Sequence, residues 1–194
     1  MSNNLYDVRF YSRVYDNILD KVECEDTISQ IKDLEFEQHK FYNHTTGEIA
    51  PASGEDELDF FTDVNGEVKN SSLIIDRLSK AISQYQSEIR FPWFSSWDGF
   101  SPIKYNRYTE NKKMAQHCDH IKALFEGERR GIPILTCLGL LNDDYTGGEF
   151  KLWGGATIDM KPGDLLIFPS NFMYPHMVEP VKSGTRYSYI SWVW

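Results

Sequence analysis

The chain has 194 residues, of which 41% are hydrophobic and 14% aromatic, and its formal net charge at pH 7 is −9. This length suits one well-buried domain and is short for two. The excess of acidic residues argues against a nucleic-acid partner, because no basic stripe offsets it. Three widely spaced cysteines indicate reduced thiols and no disulfide framework. With neither a signal peptide nor a membrane-length apolar run in view, we expect a cytoplasmic protein that does not enter a membrane.

The first hundred residues predict a mixed region that supports the rest of the chain. Alternating residues predict an edge strand over 8–14, and acidic residues at a helix start predict a short helix over 26–34. Glycine, aspartate and asparagine are frequent over 43–70, which indicates a loop with room for one hairpin. Apolar residues at helical spacing predict a longer helix over 71–89.

From about residue 100 onward the sequence changes to short strands separated by turn residues. The predicted strands are 103–108, 114–120, 133–141, 148–153, 156–160, 164–169, 173–179 and 186–194. Eight strands are what a double-stranded β-helix, or jelly roll, requires. We therefore expect a mainly β fold with flanking helices (α+β) in one domain over 1–194. Residues 1–99 would form the support region and 100–194 the jelly-roll core, with the helices packed outside one sheet.

Three residues of the β half form a candidate metal site. His117 and Asp119 are two residues apart on a predicted strand, so their side chains share a face. His176 from another strand would complete a two-histidine, one-carboxylate set, which leaves three octahedral positions open and is typical of non-haem Fe(II) oxygenases. A single histidine on a strand is more often structural, and that interpretation applies to His39, His44 and His120.

These residues and their order resemble the 2-oxoglutarate and Fe(II)-dependent dioxygenases, within them the prolyl 4-hydroxylase-like branch. The resemblance covers about residues 105–192. The matching segments are Arg107-Tyr108, His117-Cys-Asp119, Leu141-Asn-Asp-Asp144, Gly147-Gly-Glu-Phe150, Lys161-Pro-Gly-Asp-Leu-Leu-Ile-Phe-Pro-Ser170, His176 and Ser183-Gly-Thr-Arg186-Tyr-Ser188.

The resemblance implies an oxidoreductase in which Fe(II) is held by His117, Asp119 and His176. It implies that 2-oxoglutarate and O2 are cosubstrates, that succinate and CO2 are released, and that ascorbate is a candidate reductant. Arg186 would hold the far carboxylate of 2-oxoglutarate, because guanidinium is permanently charged and binds carboxylates bidentately. Tyr108 and Ser188 would line the same cosubstrate pocket. With a turn around residue 181, the strands carrying His176 and Arg186 are expected to be neighbours.

The substrate is the open part of this interpretation. A peptidyl proline leads by resemblance, although Met114 stands where many prolyl hydroxylases carry a tyrosine. Thr136 is a candidate donor of a hydrogen bond to 2-oxoglutarate in place of an aromatic residue. The alternatives are another protein side chain, a free amino acid or other small molecule, and a different class of protein, a non-catalytic jelly-roll module that binds metal.

Two further segments have two interpretations each. The run over 120–131 is either a solvated loop or a lid over the iron, with Lys122, Arg129 or Arg130 meeting the substrate. The aromatic residues between 91 and 100 are expected to pack between the helical and β parts, with a substrate groove as the alternative. The glycine pair Gly147-Gly148 is expected to form a tight turn without a chemical role.

Overall fold

The computed structural model describes residues 7–43, 48–50, 56–90, 97–119 and 133–194. Within these residues it contains two α-helices, α1 (Lys21–Ile31) and α2 (Asn70–Ile89), and a 3-10 helix at Val8–Tyr11. Neither α-helix combines the length and the apolar character that crossing a membrane would require, and this statement covers the described residues.

Fifteen strands make up most of the remaining regular structure. They are β1 (Arg13–Tyr15), β2 (Glu37–Gln38), β3 (Phe41–Asn43), β4 (Glu48–Ala50), β5 (Asp59–Thr62), β6 (Lys104–Tyr108), β7 (Met114–His117), β8 (Leu135–Leu140), β9 (Thr146–Gly147), β10 (Phe150–Leu152), β11 (Ala156–Thr157), β12 (Leu165–Pro169), β13 (His176–Val178), β14 (Val181–Ser183) and β15 (Arg186–Val193).

Two sheets form the core of the fold. A seven-stranded sheet has the order β1-β12-β8-β15-β6-β5-β2, and a four-stranded sheet has the order β11-β10-β13-β7. The eight predicted strands divide evenly, with β6, β8, β12 and β15 in the large sheet and β7, β10, β11 and β13 in the small one. The expected mainly β, jelly-roll architecture is confirmed.

The large sheet is buried on both of its faces. On β12, Leu165 and Ile167 belong to a core shared with α1 and α2, whereas Leu166 and Phe168 belong to a second core shared with the small sheet. All four side chains have no exposed surface. We call these the outer face, covered by the helices, and the inner face, turned toward the small sheet. The expectation that the helices cover one sheet from outside is therefore confirmed.

Local side-chain chemistry explains where the prediction of the first helix failed. Helix α1 begins five residues before the predicted 26–34 segment, because Asp20 and Glu23 form a reciprocal capping box. The Asp20 carboxylate accepts a hydrogen bond from the Glu23 backbone N–H, and the Glu23 carboxylate accepts one from the Asp20 N–H. The longer helix α2 begins within one residue of its prediction, which is confirmed.

Two other predictions for the N-terminal region need correction. The edge strand expected over 8–14 starts only at Arg13, because residues Val8–Tyr11 form a 3-10 helix whose start is capped by the Asp7 carboxylate. The loop expected over 43–70 was allowed one hairpin, and β4 of the β3–β4 hairpin does lie in it, but the segment also contains β5, which extends the large sheet beside β6. The pairing of β5 with β6 joins residues far apart in the chain, and the polar composition of the segment gave no sign of a strand.

Candidate functional site

His117, Asp119 and His176 converge between the two sheets. One donor atom from each lies within 4.8 Å of the other two. The Nε2 atoms of His117 and His176 lie 3.3 Å and 3.7 Å from Asp119 Oδ1. The two histidines are opposite each other in the β7–β13 pairing, so the pairing itself brings together residues that are far apart in sequence. The group has the composition and the spacing of a binding site for one metal ion.

Hydrogen bonds at Nδ1 orient both imidazole rings. His117 Nδ1 lies 2.8 Å from the Ala115 carbonyl oxygen, and His176 Nδ1 lies 3.0 Å from the Tyr174 carbonyl oxygen. A carbonyl oxygen can only accept, so each Nδ1 carries the proton and each Nε2 presents its lone pair to the site. This is the tautomer that a metal ligand requires.

A hydroxyl pair fixes the carboxylate of Asp119, which is 3% exposed. Thr136 Oγ1 donates to Asp119 Oδ2 over 2.7 Å, and Ser170 Oγ lies 2.6 Å from Thr136 Oγ1. Because the threonine proton is used on Asp119, Ser170 is the donor of the second bond. Thr136 therefore orients a metal-site carboxylate here, whereas the sequence had suggested 2-oxoglutarate as its partner.

Burial keeps the site in a form that can bind a metal. It lowers the pKa of His176 to about 4, with a contribution from the neighbouring His117, so the imidazole is neutral at pH 7. Burial acts to raise the pKa of Asp119, but His176, His117 and the Thr136 hydroxyl outweigh it, and the pKa lies below its usual range. Two neutral imidazoles and one carboxylate are donors that suit Fe(II).

Two geometric expectations for this site were wrong. Strand β7 ends at His117, so Asp119 lies in the bend that follows and not on the strand. The strands that carry His176 and Arg186 are not paired, since β13 lies in the small sheet and β15 in the large one. The two residues instead belong to different sheets, His176 to the small one and Arg186 to the large one.

Arg186 lies on the inner face of the large sheet and is only 2% exposed. Its Nη1 donates to Ser188 Oγ over 2.9 Å, its guanidinium carbon lies 5.0 Å from the centre of the Tyr108 ring, and its Nε has no hydrogen-bond partner. In the described part of the chain no carboxylate lies within ion-pair distance of it. A buried cation without a carboxylate partner is costly, and a bound anion would offset that cost.

Tyr108 and Ser188 flank this guanidinium as the sequence suggested. Tyr108 is opposite Arg186 in the β6–β15 pairing and is 2% exposed. Burial raises its pKa to about 12, so the phenol keeps its proton and can donate a hydrogen bond. The Ser188 hydroxyl accepts from Arg186, which assigns it to orienting the guanidinium.

His117, Asp119 and His176 line a cavity of about 350 Å³ between the sheets. Aromatic and aliphatic side chains form most of its wall. Polar or charged side chains also line it, among them Lys104, Asn106, Tyr108, His117, Asp119 and His176. Lys104 and Asn106 were not singled out by the sequence, in which nothing except their position on a predicted strand marked them.

The remaining candidates have separate outcomes. His39 is buried and lines the cavity wall, while His44, His120 and the proposed lid over 120–131 lie outside the described residues. Of the aromatic segment, Trp97 and Phe100 pack against the outer core, which agrees with the packing interpretation.

The glycine pair has a further function that the sequence did not reveal. Gly147 and Gly148 both have positive φ, which agrees with the predicted turn. A Cβ atom on Gly148 would also lie 3.1 Å from Arg186 Cδ and 3.0 Å from Val181 Cγ2. Gly148 therefore leaves the space that the buried arginine occupies.

Comparison with known proteins gives matches in the β half. Residues 103–194 match the family model of the 2OG-Fe(II) oxygenase superfamily. A PKHD-type hydroxylase of Crocosphaera subtropica is 31% identical over 96 residues, and one of Xylella fastidiosa strain M12 is 31% identical over 109 residues. Each alignment covers 47% of this chain, but only 41% and 44% of the relatives. The chain thus matches less than half of the length of these relatives.

Solved structures match over almost the whole chain. A viral collagen prolyl hydroxylase from Paramecium bursaria Chlorella virus-1, in complex with 2OG, has a TM-score of 0.65 at 17% identity and covers 94% of both chains. A Trichoplax adhaerens prolyl hydroxylase in complex with a hypoxia inducible factor peptide has a TM-score of 0.65 at 18% identity and covers 95% of this chain and 83% of its own. At such identities the similarity establishes the shared fold.

Proposed function

We propose that this chain is an Fe(II)- and 2-oxoglutarate-dependent hydroxylase, because residues 103–194 match the family model of the 2OG-Fe(II) oxygenase superfamily. The observation that carries the proposal is the buried Arg186, which has no carboxylate partner among the described residues and lies beside Tyr108, a residue of the cavity wall that His117, Asp119 and His176 also line. A structural metal site has no need of such a cation, whereas an anionic cosubstrate bound at the metal does.

Each residue of the site has a distinct role in this proposal. His117, Asp119 and His176 hold Fe(II) through two imidazole nitrogens and a carboxylate oxygen. Arg186, oriented by Ser188, binds the far carboxylate of 2-oxoglutarate, and the protonated Tyr108 donates a hydrogen bond within the same pocket. The aromatic wall excludes water, which strengthens these electrostatic contacts.

Bound iron supplies the chemistry by which O2 oxidises both 2-oxoglutarate and a C–H bond of the substrate. One oxygen atom enters the new hydroxyl group and the other enters succinate, while the carboxylate next to the keto group leaves as CO2. Because the Asp119 carboxylate occupies the metal position that a halide would need, the proposed reaction is hydroxylation and not halogenation. The protein contributes geometry, charge balance and a dry pocket.

For the substrate, we propose a peptidyl proline as the first class to test. Its support is the name of two structural neighbours, a collagen prolyl hydroxylase and a prolyl hydroxylase bound to a peptide. Another protein side chain and a free amino acid are the further classes. A panel of peptides and amino acids, with succinate release and a mass gain of one oxygen atom as readouts, distinguishes them.

The decisive experiment is an anaerobic titration of the protein with Fe(II) and then 2-oxoglutarate. A charge-transfer absorption band should appear, and Arg186→Met should raise the Kd for 2-oxoglutarate roughly 30-fold or more, since it removes one member of a buried charge pair. Arg77→Met on α2 is the matched control and should leave that Kd unchanged. A folded protein that gives no band, or an Arg186→Met variant with the Kd of the unmodified protein, would contradict the proposal.

A further inference from the structure

A cation that the proposed reaction does not use faces the cavity. Lys104 on β6 lines the same cavity as the three metal-site residues, and its Nζ lies 4.1 Å from the centre of the Phe60 ring. No carboxylate lies within ion-pair distance of Nζ in the part of the chain that the structure describes. Burial lowers the pKa of Lys104 to about 8, so the ammonium still carries its charge at neutral pH.

The contact with Phe60 does not account for this lysine. Lys104 is partly buried, and the attraction between a cation and an aromatic ring is weak compared with the cost of removing an ammonium from water. A neutral side chain would fill the same place without that cost. Asp119 attracts Lys104 only from beyond ion-pair distance, so the ammonium has no directly paired carboxylate in the described residues, which indicates that a ligand brings its partner.

Lys104 lies away from Arg186, the residue proposed to bind 2-oxoglutarate. Lys104 is four residues from Tyr108 on β6, and Tyr108 is opposite Arg186, so the backbones of the two cationic residues are about 13 Å apart along the sheet. This spacing places them on different parts of the inner face. Lys104 lies toward the part of the cavity lined by Thr62, Ile190 and Trp192, which leaves it for a molecule other than 2-oxoglutarate.

Asn106 gives an independent second observation beside Lys104. It is 5% exposed, lines the same cavity from the same face of β6, and its Oδ1 has no hydrogen-bond partner. A buried amide oxygen without a partner costs free energy, and a ligand N–H would satisfy it. The two side chains together offer a cation for a carboxylate and an acceptor for a nearby N–H.

Resting on the proposed function, we propose that the substrate carries a carboxylate in the same part of the molecule as the C–H bond that is hydroxylated, and that Lys104 binds this carboxylate while Asn106 accepts a neighbouring N–H. Two sources have this chemistry. One is the α-carboxylate and ammonium group of a free amino acid such as L-proline, and the other is an acidic residue beside a proline within a peptide. A neutral peptidyl proline lacks the group that Lys104 binds.

The test compares matched pairs of probes that differ in the carboxylate alone. The pairs are L-proline with L-prolinamide, and an acetylated, amidated Gly-Pro-Asp-Gly peptide with its Gly-Pro-Asn-Gly counterpart. Binding is followed under anaerobic conditions by the change in the charge-transfer band of the Fe(II)–2-oxoglutarate protein, and turnover by succinate release. At least one carboxylate probe should bind roughly 10- to 100-fold more tightly than its amide, and the responding pair identifies the source.

Variants of Lys104 link that preference to the residue. Lys104→Met should remove the difference between the responding carboxylate and its amide, and Lys104→Arg should restore most of it. Lys80→Met, at an exposed position of α2, is the matched control and should keep the preference. Thermal unfolding of each variant reports whether the fold is retained.

The outcomes separate this inference from the proposed function. Equal affinity for acid and amide in both pairs, no response to either acid, or an equal loss for acid and amide in Lys104→Met would overturn the assignment of Lys104. Each of these results leaves the charge-transfer band in place. Absence of the band from the unmodified protein would instead contradict the oxygenase proposal itself.

Discussion

The two faces of the large sheet differ although they share the same strands. On the outer face, Tyr105, Cys137, Ile167 and Val193 pack with the helices into an apolar core. On the inner face, the same four strands (β6, β8, β12 and β15) carry Lys104, Asn106, Thr136, Arg186 and Ser188, together with apolar residues such as Leu166 and Phe168. Because side chains alternate along a strand, one sheet can place stability on one face and chemistry on the other.

This comparison predicts which property each substitution changes. Polar inner-face substitutions should alter metal, cosubstrate or substrate affinity with little change in the free energy of unfolding of the metal-free protein. Apolar outer-face substitutions should do the reverse. A substitution that changes both properties would show that the two faces are coupled.

The largest effect is expected for Asp119→Asn. The amide keeps the shape of the side chain but removes the charge that holds the metal, so Fe(II) affinity should fall by more than about 100-fold, beyond the loss typical of a residue that only supports a ligand. Equilibrium dialysis with Fe(II) under anaerobic conditions measures it. Asp76→Asn on the exposed side of α2 serves as the control, and undiminished Fe(II) binding by the Asp119 variant would remove Asp119 from the ligand set.

The next effect should appear in stability alone. Ile167→Ala removes a fully buried outer-face side chain and should lower the free energy of unfolding by about 2–5 kcal/mol. Urea denaturation of the metal-free protein measures this change. Fe(II) and 2-oxoglutarate affinities should remain as before, because the residue faces the helices, and a large loss of either affinity in the folded variant would break the separation of the faces.

Thr136→Val tests the support of the metal site. Valine has nearly the same shape but cannot donate to Asp119, so Fe(II) affinity should fall roughly 10- to 100-fold. Thr27→Val on α1, which removes a buried threonine hydroxyl far from the site, is the matched control. If the two variants bind Fe(II) equally well, the hydrogen bond to Asp119 has no function in metal binding.

The smallest effect is expected for Gly148→Ala. The alanine must keep the positive φ of Gly148, which costs about 1–2 kcal/mol. Its methyl group would also lie against the Arg186 side chain. The Kd for 2-oxoglutarate should rise several-fold, measured by the charge-transfer titration, while Fe(II) affinity is retained. Gly66→Ala, which has a similar φ of 71° but nothing within 4 Å of the added atom, provides the control for backbone strain alone. Equal 2-oxoglutarate affinities in the two variants would rule out a contact with Arg186.

Local patterns determined much of the fold in advance. The spacing of apolar residues predicted α2, and alternation bounded by turn residues predicted the eight core strands. The first helix was misplaced because its start depends on the Asp20–Glu23 capping box, which composition does not show. Strand β5 was missed because its pairing with β6 is a long-range contact in a polar segment.

By itself, the sequence determined which residue types could bind a metal and an organic acid, since His117, Asp119, His176 and Arg186 have the required donors and charge at any position in space. Only the tertiary structure decided how they meet. It placed His176 and Arg186 in different sheets, turned Thr136 toward Asp119, and directed Lys104 and Asn106 into the cavity. The physical reason is that burial and partnership depend on which strands pair and face each other, and those contacts join residues far apart in the chain.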